Sequence, residues 1–116
     1  MAYKHNTVTI AKQQLVIRLG YIIRHLQRGK ITQRELAQLA KVSPSVISSI
    51  ANEHPERLSL GMIMKVADLL RLKYSVTFES TNGRCVVKVT AESALDYVKA
   101  TKPSYLSNVF KQTLGF

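Results

Sequence analysis

A chain of 116 residues with a formal charge of +10 and a single cysteine is long enough to bury one hydrophobic core without disulfides or metal. One cysteine excludes an intramolecular disulfide framework and a thiolate zinc cluster, and apolar runs of only a few residues exclude a bilayer-spanning helix. A chain this basic attracts polyanions, and nucleic acid is the commonest of them.

Residues 1–9 read as a short, partly disordered arm. They lack the apolar core and small-residue cleavage site of a signal peptide, so a cytoplasmic location is expected. Lys4, Lys12, Arg18, Arg24, Arg28 and Lys30 carry positive charge, and no acid lies among the first thirty residues. From Ile10 a helix is predicted. Leu15, Leu19, Ile22, Ile23 and Leu26 share one face, while Arg18, Arg24 and Arg28 fall outside that stripe. The stripe is needed for a core, which disfavours a membrane-surface helix. Gly29 offers a left-handed stop.

Thr32 and Glu35 have the spacing of a capping box, opening a helix whose inner side is Leu36, Leu39 and Ala40. Ser43 is the next N-cap, and Pro44 sits at a first helical position where its missing N–H costs nothing. Val46, Ile47 and Ile50 follow, and the run Asn52-Glu53-His54-Pro55 ends this third helix. Leu58 anchors the approach to a fourth, from about Leu60 to Leu72, with Ile63, Val66, Ala67 and Leu70 inward. The period then becomes two. Tyr74, Val76 and Phe78 alternate with Ser75, Thr77 and Glu79, a second alternating run follows, and Thr81-Asn82-Gly83 between them signals a hairpin. A helix capped by Thr90 is predicted from Ala91 to about Ala100, and a last one over Ser104 to Leu114.

Catalytic chemistry has little support. His5, His25 and His54 are scattered without metal-ligand spacing. No glycine-rich phosphate loop, paired carboxylates or nucleophile–base pattern is present. Cys85, in an alternating run, reads as a buried structural thiol. No catalytic residue, cofactor or metal is therefore expected, and the chain reads as not an enzyme.

The stretch from Thr32 to Ile50 has the makings of two helices crossing steeply over a short turn. Ala37 is small where the second helix crosses, Leu36 and Val42 pack, and Ile47 and Ile50 form the inner side. Ser45, Ser48, Ser49 and Asn52 are left facing out. Thr32, Gln33, Leu36, Ala37, Val42, Ser43, Ile47 and Ser48 resemble the motif of the Cro/repressor-type (Xre) helix-turn-helix family, and the resemblance spans roughly residues 10–72. Lys41 stands where that family often has glycine, so the turn must hold a left-handed lysine. Ala51 stands where it often has glutamate.

The resemblance implies a lambda-repressor-like, mainly α bundle that binds double-stranded DNA. Gln33 would contact a phosphate, and Ser43 and Pro44 would lie where the second motif helix points its N-terminus at another. Ser45, Val46 and Ser49 would be the base-edge positions, with Val46 touching a thymine methyl, and Ser48 and Asn52 would lie further along. Lys30, Arg34 and Lys41 would add phosphate contacts, because a row of serines discriminates bases poorly. Residues 73–116, a β-hairpin plus two helices, would serve dimerisation or partner binding. The expected function is a transcriptional regulator, by family tendency a repressor, bound as a homodimer to a pseudo-palindromic operator. The alternative is the DNA-binding antitoxin of a toxin–antitoxin module, with the same bundle and a C-terminal segment that masks a toxin. A sequence-independent architectural DNA binder is the third class.

Overall fold

In a computed structural model, residues 2–100 are described, apart from the side chains of residues 2–6 and of Thr81, Arg84 and Cys85. The expected helix over 104–114 and the burial of the Cys85 thiol lie outside them. The elements are α1 (Ala2–Arg28), α2 (Gln33–Ala40), α3 (Pro44–Ala51), a 3-10 turn (Pro55–Arg57), α4 (Leu60–Leu70), β1 (Tyr74–Thr81), β2 (Arg84–Ala91) and α5 (Ala94–Ala100). The mainly α fold with a helix-turn-helix and a following hairpin is the one expected. None of the described helices is long and apolar enough to cross a membrane.

α1 is the axis of the molecule. It packs against α3, α4, α5, the 3-10 turn and β2, and its predicted stripe of Leu15, Leu19, Ile22, Ile23 and Leu26 is wholly buried. Its start corrects the sequence reading, which placed an irregular arm at 1–9. The helix begins at Ala2, because no glycine or proline interrupts these turns and Thr7 and Val8 are half-buried.

α1 to α4 all close in the same way. In each, a residue at positive φ is followed by one whose N–H reaches back to a carbonyl five residues earlier, the pairing of a Schellman motif. Ile31 reaches Leu26, Val42 reaches Ala37, His54 reaches Ser49 and Leu72 reaches Ala67. The residues at positive φ are Lys30, Lys41, Glu53 and Arg71, at φ 72°, 56°, 58° and 58°. The left-handed residue after α1 is thus Lys30, a correction to the expected Gly29. Burying Ile31 in the core sets the register of the turn, and that places its predecessor in the strained position.

β1 and β2 form one antiparallel pair, with Tyr74 opposite Ala91 and Phe78 opposite Val87. Asn82 and Gly83 both take positive φ, as a two-residue hairpin loop that follows the strand twist requires. The alternation puts Tyr74, Val76, Phe78, Val87, Val89 and Ala91 on one face. Tyr74, Val89 and Ala91, at the base, pack against the core, whereas Phe78 nearer the tip is 64% exposed. β2 runs to Ala91, beyond its expected end, so Thr90 cannot cap a helix. Ser93 does so instead, its Oγ accepting from the Asp96 N–H at 3.1 Å.

Two tyrosines fasten this extension to α4. Tyr97 donates its O–H to the Leu70 carbonyl at 2.5 Å, and Tyr74 donates to Asp68 Oδ1 at 2.6 Å. Burial, reinforced by the charge of Glu92, pushes the Tyr97 phenol up to about 12. Burial and the Asp68 carboxylate push Tyr74 up to about 12 as well. Arg18 holds the strand-to-helix junction, its Nε donating to the Glu92 carbonyl at 3.2 Å.

Candidate nucleic-acid interface

α2 and α3 are held at their mutual angle by local chemistry that the sequence displays. Thr32 accepts from the Glu35 N–H at 3.1 Å, and the Glu35 carboxylate accepts from the Thr32 N–H at 3.1 Å. The capping box is therefore complete at both bonds. Lys41 takes the left-handed conformation expected of it, and Val42 bonds back to Ala37. Leu36, Ala37, Ile47 and Ile50 all enter the core.

The N-terminus of α3 departs from the expectation in one detail. Ser43 occupies the N-cap position, yet its side chain caps no backbone N–H. Its Oγ lies 2.8 Å from the Ser45 Oγ, and the Val46 N–H donates to the Ser43 carbonyl. Pro44 at the first helical position has no N–H to offer. This end of α3 therefore presents two paired hydroxyls and the positive end of a helix dipole, a combination that favours an anion.

The outward side of α3 is narrower than predicted. Ser43, Pro44, Ser45 and Asn52 are exposed and Ser48 is half-exposed, but Val46 is only 7% and Ser49 only 8% exposed. Those two positions are corrections. Val46 lies one turn before Ile50 on the core side, so its methyls fill the bundle and are not free to meet a thymine. Ser49 sits at the edge of that stripe, where its short side chain is covered. Asn52 closes the outward row, its Nδ2 donating to the Ser48 carbonyl at 2.9 Å and to the Ser48 Oγ at 3.3 Å.

The expected phosphate ligands lie on α2 and in the turns on either side of it. Arg34 on α2, Lys41 in the turn between α2 and α3, and Lys30 in the turn before α2 are exposed, and Gln33 at the start of α2 is half-buried.

Two residues that hold α3 in place were not visible in local sequence patterns. A Cβ at Gly20 would lie 2.8 Å from the Ile50 carbonyl oxygen, so α1 and α3 meet backbone to backbone there. Arg24, read from the sequence as part of a basic outer face, donates Nη1 to the Ala51 carbonyl at 2.6 Å and lies 3.8 Å from Glu53. It neutralises the negative end of the α3 dipole. Both contacts join residues about thirty positions apart, a distance that periodicity cannot reach.

Residues 22–76, from the second half of α1 into β1, match a family model described as Helix-turn-helix. No curated protein and no solved structure matches the chain. The matched family is a DNA-binding regulatory one and not a catalytic one. With the capped α2, the left-handed turn and the half-buried α3 all lying inside the match, this chain carries a DNA-binding domain of the Cro/repressor (Xre) helix-turn-helix family.

Proposed function

We propose that the protein is a sequence-specific transcriptional regulator that binds a pseudo-palindromic operator as a homodimer and represses by covering a promoter. The observation that carries this reading is the outward row of α3, in which Ser45, Ser48 and Asn52 stand opposite a side that is entirely core. A helix of that construction enters a major groove with its N-terminal turn toward base edges and phosphates. Lys30, Arg34 and Lys41 supply phosphate contacts around it.

Dimerisation is supported by the hairpin. Among the described residues β1 pairs only with β2, and Phe78 on its apolar face is open to solvent. A second copy that adds a strand at this edge and packs on this face would cover both features. Two reading helices on half-sites about one DNA turn apart would also offset the weak discrimination of hydroxyls. The same uncovered apolar residues, with Ile10 and Ile17 on α1, support the second reading, an antitoxin whose partner protein covers them. A tight protein partner retained through purification from native cells favours that reading.

The experiment is selection of bound duplexes from a random pool at physiological salt. A palindromic consensus with half-sites about ten base pairs apart is the expected result. Equal affinity for all duplexes, with the same steep loss on adding salt, overturns sequence-specific regulation in favour of architectural binding.

A further inference from the structure

The bonds that Asn52, the C-cap of α3, makes back to Ser48 decide which of its amide atoms is left to bond outside the helix. A carbonyl oxygen only accepts, so the end of the Asn52 amide that meets the Ser48 carbonyl at 2.9 Å is the NH2 group. The amide atom that makes no bond back to Ser48 is therefore Oδ1, which only accepts, on a residue that is exposed. The Ser48 hydroxyl, accepting from the same NH2 at 3.3 Å, keeps its own proton free to donate. One turn of α3 thus displays a donor at Ser48 beside an acceptor at Asn52, held together by the bonds between them.

We propose that Ser48 and Asn52 form a paired reader for a single adenine in the major groove. This proposal rests on the reading of α3 as the groove-entering helix. Adenine shows there an acceptor, N7, next to a donor, the N6 amino group. Ser48 Oγ–H donates to N7, and Asn52 Oδ1 accepts from N6. The other bases fit less well. Guanine sets two acceptors side by side, so its O6 faces Oδ1 lone pair to lone pair. Thymine offers an acceptor and a methyl group, and cytosine a donor with only a carbon beside it. A phosphate, all acceptors, is repelled by Oδ1. The intrahelical bonds also reduce the side-chain entropy lost on binding, because the Asn52 rotamer is already chosen.

The test starts from the consensus obtained by duplex selection. Each adenine in turn is replaced by 7-deazaadenine, which lacks N7, or by an analogue lacking the 6-amino group. Affinities are measured for the unaltered protein, Ser48→Ala and Asn52→Ala. One adenine per half-site is expected at which loss of the amino group weakens the unaltered protein about tenfold and Asn52→Ala hardly at all. Loss of N7 at the same base weakens the unaltered protein but not Ser48→Ala. A clear consensus whose adenines tolerate both analogues, or whose sensitivity is the same in the variants, overturns the adenine reader and leaves the regulator standing. Absence of any consensus overturns both. Should a variant fail to fold, Ser48→Gly or Asn52→Gly, which also removes the side-chain group, takes its place in the same comparison.

Discussion

Arg24 Nη1 donates to the carbonyl oxygen of Ala51 across 2.6 Å, joining the longest helix to the last residue of α3. A guanidinium on a helix C-terminus gains both a charge-assisted hydrogen bond and the dipole. Arg24→Ala is expected to lower stability by about 1–2 kcal/mol, seen as a lower thermal midpoint. Hydrogen exchange should speed up at the amides of the last turn of α3 more than elsewhere. Uniform loss of protection, or none, would show that Arg24 is only a solvated charge.

Gly20 makes the neighbouring contact. Glycine in a helix interior costs about 1 kcal/mol relative to alanine, so Gly20→Ala would ordinarily stabilise α1. Here the added methyl would meet the Ile50 carbonyl at 2.8 Å, and two backbones would have to part. Overpacking of this kind costs about 1–3 kcal/mol, which exceeds the propensity gain. Denaturant unfolding should show a net loss of stability. A net gain would mean that α1 and α3 separate without cost.

Lys41 combines strain and charge, and the two separate on substitution. Its φ of 56° is a conformation glycine adopts without the clash that costs an L-residue about 1–2 kcal/mol. Against glycine's extra unfolded-state entropy, Lys41→Gly should stabilise by about 0.5 kcal/mol. The same change removes a cation proposed to lie on a phosphate, so the slope of log affinity against log salt should become shallower by about 0.9. A more stable protein with an unchanged slope would exclude Lys41 from the DNA contact.

Tyr97 and Tyr74 link stability to alkaline pH. Both phenols sit at about 12 in the fold, against an ordinary value of 10.0. The unfolded chain therefore loses these protons first, and the folded state holds them longer. Their stabilisation is complete below pH 10 and is lost as the pH rises from there toward 12. Tyr97→Phe should cost about 1 kcal/mol at neutral pH, because the Leu70 carbonyl loses its donor. It should also flatten the fall in stability between pH 10 and 12 relative to the unaltered protein. Parallel curves would show that the Tyr97 proton is not held by the fold.

What was legible in the sequence was legible because its cause is local. The capping box at Thr32 and Glu35, proline at the start of α3, the left-handed Lys41, the Asn82-Gly83 hairpin and the buried stripe of α1 each depend on residues within a turn or two. The composition, with its charge of +10, pointed toward nucleic acid for a similarly simple reason. The helical start at Ala2, the shift of the strained residue from Gly29 to Lys30, and the burial of Val46 and Ser49 were decided by tertiary packing. In each case a neighbouring surface determines which atoms leave water, and no window along the chain contains that surface. The contacts of Gly20 with Ile50, Arg24 with Ala51 and Tyr97 with Leu70 are of this second kind. They exist only once α1, α3, α4 and α5 have closed around one core, because backbone carbonyls carry no sequence signature and any residue can supply one.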